Sequence, residues 1–267
     1  MSRRLLIWGY GRVGSAVIHR LLHQQQLDHS PCKFDSLLVI SNQPQPLNLS
    51  AVVWINDDEF ALNPKSFLQS TDVVLLTVPD SRVLQCAITC DFDGITVFHS
   101  SGATPRVIME KADSAVFYPL QTFSLSGEVD WMHVPVFVEA MGDAEKQIAH
   151  NLAISLGVER CEEISFSQRE KLHLAAVFAN NFTIAMAGIA HDILEENGLL
   201  STWIQPILAQ TALNLGSENP WDKLTGPAKR GDKKTMANHQ ELLKSHPTLK
   251  ALYEQMSGYI QAKNTKA

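Results

Sequence analysis

The segment Gly9-Tyr10-Gly11-Arg12-Val13-Gly14 spaces its three glycines as a dinucleotide-binding loop does. It follows the apolar run Leu5–Trp8 and opens an amphipathic stretch from Val13 to Gln25. In that setting each glycine has its own duty. Gly9 permits a tight turn, Gly11 lets the backbone approach a pyrophosphate, and Gly14 lets helix and strand pack closely. The helix start adds unpaired N–H groups and a positive dipole end, which suit phosphate. Without a ligand the same glycines would form a plain turn; their place between strand and helix favours a nucleotide. Tyr10, Arg12 and Val13 complete the expected contact set.

The second strand decides between nucleotides. A site for NAD usually places a carboxylate at the end of that strand to bind the ribose hydroxyls. Here the strand ends in Ser41-Asn42-Gln43, and Asp35 stands at its other end. With no carboxylate to repel a 2′-phosphate, NADP is expected, with NAD possible. Ser41 and Asn42 can bond to that phosphate and Arg12 can reach its charge.

In open α/β sheets, ligands meet the carboxyl ends of the strands. One such end reads Thr77-Val78-Pro79-Asp80, where Val78 and Pro79 would border the cofactor and Asp80 reads as a helix cap. The next reads His99-Ser100-Ser101-Gly102, where a nicotinamide or a substrate would be met: His99 and Ser100 are assigned to the cofactor and Ser101 to catalysis. A third, Tyr118-Pro119-Leu120-Gln121, offers Gln121 as a substrate contact or is a turn and nothing more.

A long helical pattern begins after Ser165. Ser167 with Glu170 reads as its capping box and Gly198 as its stop. At ~100° per residue, His173 and Asn180 share a face, Asn181 lies at its edge, and Lys171 points away. His173 suits proton transfer near neutral pH. Asn180 and Asn181, set among small apolar residues, should be hydrogen-bonded or face a cavity. Catalysis by His173 and Asn181 with substrate contact by Asn180 stands beside a simpler reading, polar contacts that pack helices. Further on, Leu224–Thr235 joins a Gly-Pro turn to Arg230-Gly231-Asp232. Arg230 can clamp a carboxylate or phosphate. Asp232 can hold Arg230 or cap the next helix.

The elements that must position these residues form two regimes. Up to about Ser165, apolar runs (Leu37–Ser41, Val52–Ile55, Val73–Val78, Ile95–His99, Ala115–Tyr118, Val134–Ala140) alternate with helical patterns. That is the signature of a doubly wound α/β sheet covered on both faces. After it come helical segments only, at Thr202–Leu215, Lys234–Ser245 and Leu249–Gln261. The chain therefore divides into a dinucleotide-binding Rossmann domain at 1–165 and an all-α domain at 166–267. Net charge is −6, which excludes a general nucleic-acid binder. The opening apolar run is too short for a signal peptide, and no stretch reads as a membrane span. Four cysteines without a CxxC pair, and two histidines (His19, His23) on one helix face, make no metal site. A cytoplasmic protein without membrane or nucleic-acid partners is expected.

The motifs GYGRVG, VPD, HSSG, YPLQTF, KLHLAAVFANNF and LTGPAKRGD, in that order, resemble a bacterial family. It combines a Rossmann-like oxidoreductase domain with a helical domain of unknown function, lies in the 6-phosphogluconate-dehydrogenase-like superfamily, and is similar in plan to pyrroline-5-carboxylate reductase. The resemblance implies NADP-type cofactor binding and a helical half that forms the substrate pocket and a homodimer. It matches His99, Ser101 and Gly102; His173 and Asn181, with Asn180 in place of a more usual serine; and Thr225, Gly226, Pro227, Arg230, Gly231 and Asp232. One departure limits the transfer. Related hydroxyacid dehydrogenases carry Lys-x-x-x-Asn on this helix, whereas the fourth residue after Lys171 is Ala175. The expectation is an NADP-dependent oxidoreductase that moves hydride between nicotinamide and a small, anionic C=O or C=N compound. A dinucleotide-binding sensor without catalysis is the alternative.

Overall fold

Residues 3–27, 32–50, 52–124 and 129–264 are described by a computed structural model. In chain order the first part runs β1 (Arg4–Trp8), α1 (Arg12–Gln25), β2 (Ser36–Ile40), β3 (Val53–Ile55), α2 (Asp57–Leu62), β4 (Val73–Leu76), α3 (Asp80–Thr89), β5 (Thr96–His99), β6 (Asp113–Pro119), β7 (Val136–Glu139), α4 (Asp143–Leu156) and β8 (Cys161–Glu163). The strands form one sheet in the order β3-β2-β1-β4-β5-β6-β7-β8. All neighbours are parallel except β6 and β7. This is the doubly wound Rossmann arrangement expected from the apolar runs.

Period-two alternation in β1 sends Leu5 and Ile7 to one face and Leu6 and Trp8 to the other. The first face is covered by Val17, Ile18 and Leu21 of α1 and by Ile148, Ala149 and Leu152 of α4. The second is covered by Phe60 of α2 and by Val83, Cys86 and Ala87 of α3. Each fully buried aliphatic or aromatic side chain contributes about 1.5–3 kcal/mol. At the amino ends of the strands, Arg4 of β1 forks onto Asp72, just before β4, at 2.8 and 2.5 Å. That pair fixes the register opposite the end where ligands would bind.

Two elements escape the sequence pattern. Helix α2 is short, acidic in its first turn and capped by Asn56, which accepts from Asp58 and Glu59. Strand β8 is a polar edge strand with no apolar alternation.

The helical part comprises α5 (Phe166–Ala176), a π-helical turn (Val177–Phe182), α6 (Thr183–Glu196), α7 (Gln205–Leu215), α8 (Pro220–Lys223), α9 (Pro227–Arg230), α10 (Lys233–Leu242) and α11 (Pro247–Asn264). Its capping box is Ser165 with Gln168, in place of the expected Ser167 with Glu170. Ile164 N–H still bonds the Val138 carbonyl in the sheet (2.8 Å), so the chain turns into the helix directly after it. Gly198, at φ 68°, follows the end of α6 as expected. The chain groups into two compact units, Met1–Ile184 and Ala185–Ala267. Helical structure begins at Phe166, and the grouping divides inside the helical run.

The run Phe166–Glu196 is long and apolar enough to cross a membrane, with a window of mean hydropathy 1.4 and no buried residue in that window. The expectation that no stretch reaches this length is therefore corrected. Alanines between the large apolar residues raise the average without forming an unbroken run. Length and composition alone do not make a span, and the helix carries the polar pair Asn180-Asn181 at its middle and His191-Asp192 near its end.

Gly14 and Gly11 separate packing from ligand approach. A Cβ on Gly14 would lie 2.0 Å from the Gly9 carbonyl oxygen, whereas one on Gly11 would meet nothing within 4 Å. Gly14→Ala should therefore destabilise the fold by at least about 1 kcal/mol in urea unfolding. Gly11→Ala should stay within about 0.5 kcal/mol of wild type.

Candidate active site

The glycine loop leaves β1 at Gly9, whose φ of 111° only glycine adopts without strain. A Cβ there would lie 2.8 Å from the Thr77 carbonyl oxygen at the end of β4. Thr77 Oγ1 in turn donates to the Gly9 carbonyl (2.7 Å), tying the loop to β4. Helix α1 starts with Gly11 as N-cap and no side-chain cap, so its first N–H groups are free of side-chain acceptors. The open space over Gly11 and these N–H groups form a cradle suited to an anion.

A cavity of about 590 Å³ adjoins this loop. Arg12 and Val13 line it from α1, Tyr118, Leu120, Gln121, Thr122 and Phe123 from the end of β6, and Leu172, His173, Asn180 and Asn181 from the long helix. The π-helical turn places both asparagines on this wall. Its wider i to i+5 bonding turns each residue by less than ~100°, so Asn181 comes round beside Asn180. Straight α-helical geometry set Asn181 only at the edge. Lys171 is exposed and is not part of the wall.

His173 is held from two sides. Tyr118 Oη lies 3.1 Å from its Nδ1, with the rings edge to face. Gly102 backs it closely: a Cβ there would lie 2.4 Å from Nδ1. Burial raises the Tyr118 pKa, so the phenol keeps its proton. With Nδ1 engaged by Tyr118, Nε2 is the ring nitrogen left for a ligand. Tyr118 gave no signal in the sequence beyond an aromatic residue near a strand end.

Gly102 is positioned by Arg169, one helical turn before His173 and fully buried. Its guanidinium donates to the Ser101 carbonyl (2.6 Å), the Thr104 carbonyl (2.9 Å) and the Glu139 carboxylate (2.8 Å). The Phe166 ring lies 5.3 Å away and Nε has no partner. An arginine in a helical pattern reads as a surface residue, so sequence reasoning missed it.

The remaining expected residues sit as follows. His99 is buried; its Nδ1 accepts from Ser101 N–H (3.3 Å) and its Nε2 faces the Pro105 carbonyl (3.2 Å), so the ring organises its own loop. The Ser101 hydroxyl donates to Thr104 Oγ1 (2.8 Å) and accepts the Ala103 and Thr104 N–H groups, a hydroxyl turned into its loop. Ser100 donates to the Leu76 carbonyl (3.2 Å). Ser41 is buried and accepts Gln43 N–H, and the Asn42 side chain accepts Asp57 N–H (3.0 Å). Tyr10 packs edge to face on Trp54. Val78 is half-buried and Pro79 exposed; Pro79, not Asp80, occupies the N-cap of α3. In the second unit, Arg230 is exposed at the end of α9 and Asp232 caps α10, accepting Thr235 N–H (3.0 Å) and Oγ1–H (2.7 Å). Of the two roles open to Asp232, the cap is the one observed.

Residues 134–260 match the family described as Domain of unknown function (DUF2520). The whole fold is similar to BF3122 from Bacteroides fragilis, a candidate NADP oxidoreductase, at 25% identity and TM-score 0.80 over 98% of each chain. It is also similar to protein TM1727 from Thermotoga maritima (19% identity, TM-score 0.67, 98% of each chain). Pyrroline carboxylate reductase from Plasmodium falciparum, solved with NADP bound, shares the fold at 12% identity and TM-score 0.56 over 98% of each chain. No curated protein matches the sequence. The resemblance inferred from the motifs, an oxidoreductase-type Rossmann domain with a helical domain of unknown function, is thus met by both kinds of comparison.

Burial, with the Arg169 charge beside it, pushes the His99 pKa down to about 4. The unfolded chain therefore binds this proton first as pH falls below ~6.5, and stability is lost between there and pH ~4. His99→Gln should remove about 2–3 kcal/mol of that loss, read as a flatter stability profile than wild type over this window in denaturant titrations.

Proposed function

We propose that the protein is an NADP-dependent oxidoreductase acting on a small, anionic compound with a C=O or C=N bond. The observation that carries this reading is one cavity shared by the glycine loop and by His173, Asn180 and Asn181. Similarity to a candidate NADP oxidoreductase and to a reductase holding NADP supports the cofactor, with NAD possible. The residues fit such a group: space over Gly11 for a pyrophosphate, free N–H groups at the start of α1, and no carboxylate at the end of β2. When bound, the nicotinamide supplies or accepts hydride.

The chain's own residues handle the proton. His173 holds it at Nε2, and Tyr118 fixes the ring by occupying Nδ1. Transfer from imidazole to the developing alkoxide or amine needs that orientation. Asn180 and Asn181 supply amide groups that orient a polar substrate, and Gln121 adds a third. Arg230 is assigned to the substrate's anionic group on the chemistry of its exposed guanidinium. Leu174, Phe178, Phe182, Ile184 and Met186 are 40–62% exposed. Such an apolar helix surface supports a homodimer through the helical region. Cys86, Cys90 and Cys161 form no disulfide, which suits a reducing compartment such as the cytoplasm.

The test offers NADPH with a panel of small keto acids and imines and follows absorbance loss. Turnover with at least one member is expected. His173→Ala should lower it by about 10²–10⁴-fold while leaving NADPH binding intact. Tight NADPH binding with no turnover across the panel would leave a nucleotide sensor. Separately, Arg230→Ala should raise KM by at least about tenfold with NADPH affinity unchanged.

A further inference from the structure

NADP differs from NAD by one phosphate on the adenosine ribose, and a nearby arginine is the usual means of accepting it at the end of the second strand. The loop after β2, Ser41 to Ser50, contains no arginine, lysine or histidine. Arg12 lines the cavity of His173. Beside Arg12, another element can supply a cation to the adenosine end.

Asp57 and Arg82 place one there. Strand β3 runs parallel to β2 with Ile55 beside Ile40, and Ser41 N–H bonds the Ile55 carbonyl (3.0 Å). Asp57, two residues after Ile55, thus stands beside the end of β2, and its N–H is held by Asn42 Oδ1. Its buried carboxylate accepts Trp8 Nε1–H (2.8 Å) from the end of β1. It also accepts a bidentate pair from Arg82 at 2.8 and 3.1 Å. Arg82 comes from the first turn of α3, after β4. Its side chain reaches across from the β4 side of the sheet to the β3 side while remaining 48% exposed. Two N–H groups are spent on Asp57, and the half-exposed guanidinium keeps the others for an incoming anion. Asp57 in turn is buried and already accepts from Trp8 and Arg82, which sets it apart from the open carboxylate that an NAD-type site offers to the ribose diol.

We infer that Arg82, oriented by Asp57, binds the adenosine 2′-phosphate and makes the site selective for NADP over NAD. This rests on the cofactor reading above and adds the residue that sets its selectivity. Asp57 is a positioning residue in this scheme, with Asn42 and Trp8 as its supports.

Dissociation constants for NADPH and NADH, from quenching of tryptophan fluorescence in the full-length protein, test it in wild type, Arg82→Gln and Arg82→Lys. Glutamine can still donate to Asp57 but carries no charge; it should weaken NADPH at least about tenfold and NADH less than about threefold. Lysine keeps a charge without the fork and should fall between. A folded Arg82→Gln protein that binds NADPH as wild type does, or loses both nucleotides equally, overturns the inference. If the melting transition shows that Arg82→Gln does not fold, Arg82→Lys decides: NADPH weakened about threefold or more with NADH unchanged supports it, and equal or no change overturns it. Wild type that binds neither nucleotide contradicts the cofactor reading itself and the inference with it.

Discussion

A fully buried arginine holds the candidate site together. Arg169 leaves water entirely and recovers its solvation through two carbonyls of the 99–104 loop and the Glu139 carboxylate. Removing one partner of a buried pair of this kind costs about 3–5 kcal/mol, because the other charge is left uncompensated. The three acceptors come from the end of β5 and the end of β7, and the donor from α5. One side chain therefore locks the start of the long helix onto two strand ends. Everything that gives His173 its place depends on that lock: Gly102 can back the imidazole only because its loop is pinned, and Tyr118 meets Nδ1 only because the helix is pinned.

The same network engages the hydroxyls of the His-Ser-Ser-Gly segment within their own loop. His99 and Ser101 satisfy one another's loop and Ser100 bonds back to β4. Their work is to hold the strand end in a shape that brings glycine against histidine. The free polar groups of the cavity come instead from the helix, where a π-helical turn adds a second asparagine to the wall. Such turns concentrate at functional sites because the extra residue widens the helix at a local cost in hydrogen bonding.

Legibility in the sequence followed the range of the forces involved. The glycine loop could be read because each glycine answers a short-range steric demand: a φ of 111° at Gly9, an open approach at Gly11 and a 2.0 Å clash avoided at Gly14. The sheet could be read because buried parallel strands are apolar throughout. Strand β8 and helix α2 could not, since one is a polar edge and the other only a capped acidic turn. Tyr118, Arg169 and Arg82 were invisible for a common reason. Each acts on a residue far away in the chain, at separations of 55, 68 and 25 positions. No local pattern records such a pairing. The Ser165 cap shows the intermediate case, where the correct chemistry was placed two residues late because a sheet bond delays nothing in sequence but sets the turn in space.

The central claim is that the glycine loop and the His173 wall serve one bound dinucleotide. A crystal structure of the protein soaked with NADPH tests it most directly. The account predicts pyrophosphate density over Gly11 and the nicotinamide ring in the cavity of Tyr118, His173, Asn180 and Asn181. A nicotinamide lodged elsewhere, or a glycine loop that takes no nucleotide at saturating NADPH, would contradict it.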